Sequence, residues 1–292
     1  MTRYDPHNWT DHLFDIEGSM VREILGRVSL CVVWAVVVVS LHMILPKWWL
    51  DWAVPSSAHS LIGVALGLLL VFRTNASYDR FWEGRKLWGG IVNETRNLVR
   101  IASVLMASRP DLVRPITLWT IAFPWASMYR LRSSREVGPI LAELPADDGA
   151  AVATADHIPL AVARQVTALV ERARAEGVIS DIQQSQIDQN MQLLIDYLGG
   201  CERIRATPLP YAYTVHLRRA LIVYCFTLPL ALVDAFGWNA IPATLLLSYV
   251  MFGIEEIGVE IEDPFGMDDD DLPLEEICRN IEGNLRDILP KS

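Results

Sequence analysis

The chain has 292 residues, 52% of them hydrophobic and 21% charged, with a mean hydropathy of +0.26 and a formal net charge of −10. That apolar content excludes a disordered chain, and four cysteines, at positions 31, 201, 225 and 278, are too sparse for a disulfide-stapled scaffold. No cysteine or histidine pair has zinc spacing, and the acidic balance excludes the clustered Lys/Arg footprint of a nucleic-acid binder.

In chain order, the first 23 residues are polar and acidic, which does not fit a cleavable signal peptide. Residues 30–45, LCVVWAVVVVSLHMIL, carry no formal charge. Extended back to Ile24, with only Arg27 inside, the run reaches spanning length, since a bilayer takes about 20 mostly apolar residues. Trp48, Trp49 and Trp52 then crowd one boundary, as interfacial tryptophans do. Residues 54–72, VPSSAHSLIGVALGLLLVF, form a second uncharged run, residues 220–238 a third with Asp234 near its end, and residues 239–254 a fourth. Residues 112–128 are also apolar but contain Arg114, Pro115 and Pro124, and read as a buried helix of a non-membrane domain.

Between the second and third runs, residues 72–100 read as a charged, aromatic-rich helix leaving the membrane. Residues 160–176 and 182–204 show helical apolar periodicity, whereas 136–159, rich in Pro, Gly, Ala and Asp, read as a loop. The fold class is therefore all-α: four transmembrane helices with a helical cytosolic region. The division is 1–23 N-terminal segment, 24–72 first two spans, 73–219 cytosolic region, 220–254 last two spans and 255–292 acidic tail. Lys47 is the single basic residue between the first two spans, there is none between the last two, and most of the rest lie in 73–219. By the positive-inside rule both termini and the central region are cytoplasmic, in a multi-pass protein of the cell (inner) membrane.

On the second span Ile62, Leu66 and Leu70 stand at i, i+4 and i+8 and share one helix face. Gly63 and Gly67 beside them form a small-xxx-small pair that permits close packing. Such a row suits lipid contact, bundle core or the lining of a narrow pore that gates by dewetting. The tail collects Glu255, Glu256, Glu260, Glu262, Asp263 and Asp268 to Asp271 around a Pro-Phe-Gly turn. These oxygens suit calcium, although their spacing is not that of an EF-hand, and a solvated acidic turn is the alternative. His42, His59, His157 and His216 are scattered and no nucleophile–base constellation occurs, so an enzyme is not expected. A transporter would place ionisable residues or broken helices at mid-membrane, and only Asp234, Arg27 and Pro229 approach that. A membrane-anchored scaffold is the third class.

Three motifs, FRTNASYDRFWEGRKLWG from Phe72, GGCERIRATPLPY from Gly199 and EIEDPFGMDDDDLPLEEIC from Glu260, resemble the bestrophin family in its shorter bacterial form, over roughly residues 20–285. The resemblance implies a homopentameric ion channel with one central pore, four membrane helices per subunit and a helical cytosolic part. Its partners are copies of itself, membrane lipid and the permeating ions, with no required cofactor. Carried onto this chain, the apolar neck is Ile62, Leu66 and Leu70. A cytosolic constriction falls at Ile179, with Ser180 and Ile182 close by. Animal members pass anions and bind calcium at the acidic tail. Here the equivalent residues are Asp263, Asp268 and Asp271, and Met267 stands where the animal pattern has Glu, which argues against calcium control. Apolar rings do not choose a sign of charge, and the net charge of −10 favours cations if the acids line the vestibule.

Overall fold

The computed structural model describes residues 20–45, 54–268 and 270–289, all helix, turn or coil with no strand among them. Residues 1–19, Lys47, Trp48, Trp49, Trp52 and Asp269 lie outside the described residues. The helices are α1 (Val21–Ile44), α2 (Ser56–Leu105), α3 (Pro110–Leu131), α4 (Ala146–Ala153), α5 (Ile158–Ala175), α6 (Asp181–Ala206), α7 (Tyr211–Phe236), α8 (Ala240–Glu260) and α9 (Leu274–Ile288). The chain forms two compact units. The first holds the described residues of 1–81, 208–263 and 268–270, and the second those of 82–207, 264–267 and 271–292.

In the first unit α1 packs along α7 and α8. Ile24, Val28 and Cys31 of α1 bury against Leu66 and Leu70 of α2, Leu217, Leu221 and Leu228 of α7 and Phe252 of α8. A second cluster joins Val38 and Val39 to Val233 and Ala240. Gly237 links α7 to α8 with φ +52°, a conformation that costs glycine no side-chain clash. Among the described residues, three helical stretches are long and apolar enough to cross a membrane: Val21–Ile44, Ser56–Leu105 and Tyr211–Glu260. The last is α7, a one-turn 3₁₀ segment and α8. The 21 residues of α8 and 26 of α7 each give at least ~30 Å at about 1.5 Å per residue, the thickness of the hydrocarbon core. Pro229 does not break α7, which runs continuously through it.

In the second unit α3 is buried on almost every side, packed on α5 and α9, as the proline-containing apolar run predicts. Pro110 opens it at a position where the missing N–H costs nothing. Ser180 and Gln183 close a reciprocal capping box at the start of α6. The loop expected at 136–159 is corrected: it contains a 3₁₀ turn, Pro139–Glu143, and the helix α4. Its Pro145 and acids are not breakers there. Pro145 is the N-cap, and Asp147 and Asp148 occupy the first turn, where negative charge is favourable.

α9 is held to this unit by its buried Leu274, Cys278, Ile281 and Leu285 and by a fork from Arg286, whose Nη1 donates to Glu143 at 3.0 Å and Nη2 at 2.5 Å. The Arg286 hydrogen bonds hold the Glu143 carboxyl below the ordinary glutamate range. A depressed carboxylate contributes stability above its unfolded value, about 4.3, and that contribution is lost as pH falls through the lower folded value. Arg286→Ala is expected to lower stability above about pH 4.3, where that contribution is present, and to leave the strongly acid end nearly unmoved, so the profile falls less steeply on acidification. Thermal melts from pH 3 to pH 7 check this.

Candidate pore face and charge knot

The uncharged stretch of α2 is apolar nearly all round, so its rotation is set by its neighbours. His59 is the first anchor. Its Nε2 lies 3.2 Å from the Tyr224 carbonyl oxygen and 3.2 Å from Thr227 Oγ1. A carbonyl only accepts, so Nε2 carries the proton. The His59 and Tyr224 rings stack with centroids 4.2 Å apart. Gly63, one turn on, lies so close to this tyrosine that a Cβ there would stand 2.5 Å from its hydroxyl. Gly67 has nothing within 4 Å of the equivalent point. Of the two glycines, therefore, only Gly63 makes the close approach that the small-residue pair predicts.

This rotation decides which row of α2 is free. The neck assigned to Ile62, Leu66 and Leu70 is corrected: Leu66 and Leu70 are buried in the protomer's own core against α1 and α7, and a side chain enclosed there cannot line an aqueous passage. Ile62 lies at the edge of that face, 52% exposed. The turned-out apolar row is Val64, Leu68 and Phe72, each more than half exposed and again at i, i+4 and i+8. The residues expected at a cytosolic constriction differ in the same way. Ile179 is buried, whereas Ile182, on the first turn of α6, is 74% exposed.

Immediately after Phe72 comes a knot of charge that the sequence reading did not assemble. Arg73 and Glu255 are both buried, and Arg73 Nη1 donates to Glu255 Oε1 at 2.5 Å. Arg218 Nε donates to the same oxygen at 2.8 Å. Arg27 spreads its guanidinium over Glu255 Oε2 at 3.3 Å and Glu256 Oε2 at 2.6 Å. Glu262 adds a carboxylate 3.8 Å from Arg73 Nη2 and accepts from the Leu209 N–H at 3.0 Å. Removing such ions from water costs several kcal/mol each unless they are paired, and here each buried charge has an opposite partner. The knot joins α1, α2, α7 and α8. Arg27, the one charge inside the first apolar run, belongs to it, and the Asp234 carboxylate lies 3.7 Å from His42 Nδ1. The available signal was the position of Arg73 and Glu255, each directly after an uncharged run.

In the acidic turn the Leu272 N–H donates to the Pro264 carbonyl at 3.1 Å. A Cβ on Gly266 would meet Asp271 Oδ2 at 2.5 Å, so the carboxylate packs on the glycine. Met267 is exposed. Among the described residues no group of three His, Cys, Asp or Glu side chains is placed to hold a metal ion.

Long apolar helices, an ion-paired knot where their charged flanks begin and an attached helical unit define a multi-helix membrane protein. The chain matches the family described as Bacterial/Fungal Bestrophin protein over residues 1–287. It is 37% identical over 289 residues to a voltage-dependent anion channel-forming protein of Synechocystis sp., covering 97% of this chain and 92% of the relative. It is 30% identical over 280 residues to the voltage-dependent anion channel-forming protein YneE of Escherichia coli K12, covering 95% and 90%. The crystal structure of a bestrophin homologue from Klebsiella pneumoniae superposes with a TM-score of 0.87 at 30% identity, over 92% of this chain and 99% of that one. This chain belongs to the bestrophin family.

Proposed function

We propose that the chain forms a homopentameric channel in the cell (inner) membrane that passes small monovalent ions passively. Four helices per protomer cross the bilayer, with both termini cytoplasmic. The observation that carries this reading is the row Val64, Leu68 and Phe72, apolar and exposed on a helix whose opposite face is fixed into the protomer. Five such rows around one axis make three stacked rings about 6 Å apart, spanning about 12 Å. An ion between them must deform its hydration shell with no polar group to replace it, so the rings form a gate that controls passage by wetting. Ile182 is the residue we assign to the second constriction. The names of the Synechocystis and E. coli relatives support anions as permeating ions. The unbroken α7 favours a channel over a transporter, whose midplane sites use discontinuous helices.

Purified protein in liposomes tests the reading. A channel gives ion flux with neither a coupling ion nor a substrate. Flux that appears only with a coupling gradient makes the protein a transporter, and no flux with either leaves a scaffold. For the topology, single cysteines at Ser57 and Asp148 are expected to label from opposite sides of the membrane, and labelling from one side overturns it. The acidic turn, with Met267 in the row and Asp271 engaged on Gly266, requires no calcium in this reading. Calorimetric titration is expected to show no binding in the sensor range of about 10⁻⁷–10⁻⁵ M.

A further inference from the structure

The exposed side chains of α2 from Ser56 onward are all uncharged until Asp79. Asp79 stands seven residues after Phe72. Seven steps of 100° bring it within about 20° of the same face and roughly 10 Å further along the axis. The basic residues around it are committed elsewhere. Arg73 is buried on Glu255, and Arg80 donates through Nε to the Glu262 carbonyl at 3.0 Å. Among the described residues, no hydrogen bond or ion pair engages the exposed Asp79 carboxylate. An apolar ring has no preference for the sign of an ion, whereas a ring of fixed charge at the mouth of a low-dielectric throat does.

We propose that Asp79 sets the charge preference of the pore: one carboxylate per protomer forms a ring at one end of the Val64–Leu68–Phe72 row, concentrating hydrated monovalent cations and repelling anions. This rests on the reading that the row lines the pore. Its consequence is that Asp79 lowers the anion-to-cation permeability ratio below what the apolar row alone would give.

Reversal potentials of the full-length protein in planar bilayers under a KCl gradient test it. Asp79→Asn is expected to raise the chloride-to-potassium permeability ratio about tenfold, the lower end of what charge focusing achieves. Asp79→Lys is expected to raise it further, and Asp79→Glu to keep the parent ratio. The effect is expected to shrink between 0.1 M and 1 M salt, as the screening length falls from about 10 Å to about 3 Å. An unchanged ratio for Asp79→Asn at 0.1 M salt, in a channel that still conducts, overturns the proposal. If Asp79→Asn does not assemble, Asp79→Ser is read for the same ratio with the same two outcomes. Asp79→Cys separates this inference from the reading beneath it. The native cysteines are all buried, so a charged thiol reagent reports on position 79. Current that the reagent leaves unchanged removes Asp79 from the pore while the channel stands. A parent protein that carries no flux removes the channel reading itself.

Discussion

The triple variant Val64→Ala, Leu68→Ala, Phe72→Ala is expected to assemble like the parent and to conduct more, with little change in the sign of ion that passes. These side chains project away from the protomer core, so their removal leaves no cavity within it. If five-fold rings of them set the dry part of the pore, truncation widens and wets the passage. A barrier lowered by only ~1.4 kcal/mol raises passage about tenfold. Single-channel recording checks this. The neighbouring row is the control that gives the test its meaning. Leu66 and Leu70 are enclosed by Ile24, Val28, Leu217 and Leu221, and each Leu→Ala there is expected to cost about 2–5 kcal/mol through lost burial and residual cavity. Those variants should lose folded protein, with conductance altered only as a consequence. A triple variant of the exposed row that conducts like the parent would mean that Val64, Leu68 and Phe72 face lipid or a neighbouring subunit. The limiting part of the pore would then lie elsewhere.

Glu255→Ala is expected to be among the most damaging single substitutions in the chain. It leaves Arg73, buried with its charge, facing Glu262 at 3.8 Å as its remaining carboxylate among the described residues, and removes the shared partner of Arg218 and Arg27. Breaking one side of a buried ion pair costs about 3–5 kcal/mol, chiefly because the survivor remains uncompensated. Arg218 and Arg27 are half-exposed and can turn to solvent, so the loss concentrates at Arg73. The double variant Arg73→Met, Glu255→Leu removes both charges and is expected to recover much of the stability, since apolar replacement of a buried pair is often neutral or better. Thermal melts of the detergent-solubilised protein, arranged as a double-mutant cycle, measure the coupling directly. A parent-like melt for Glu255→Ala alone would show that the knot contributes little to holding α2 against α1, α7 and α8.

Much of this protein was legible in its sequence because membrane insertion writes itself into local composition. The apolar runs at 30–45, 54–72, 220–238 and 239–254 appear as α1, the first part of α2, α7 and α8, since apolar length alone selects a helix where the backbone must satisfy itself. α5 and α6 were legible by a different local signal, apolar residues at three- and four-residue spacing over 160–176 and 182–204. The acidic turn was visible as composition. The packing of Asp271 on Gly266 within it was not, because that depends on how the Pro-Phe-Gly backbone folds back.

The tertiary structure alone decided the rotation of α2. Ile62, Leu66, Leu70 and Val64, Leu68, Phe72 are two apolar rows of equal spacing on one helix, and no periodicity separates them where nearly every side chain is apolar. The choice is made by a ring stacked on Tyr224 and by Gly63 pressed beneath it, contacts more than 150 residues apart in the chain. The same holds for Ile179 and Ile182, three positions apart, of which only the fold says that one is buried and the other exposed. The pairing of Arg73 with Glu255 spans 182 positions. Sequence marks where each charge leaves an apolar run, but only the packing of α2 against α8 brings the two into one buried site, where low dielectric makes their pairing obligatory.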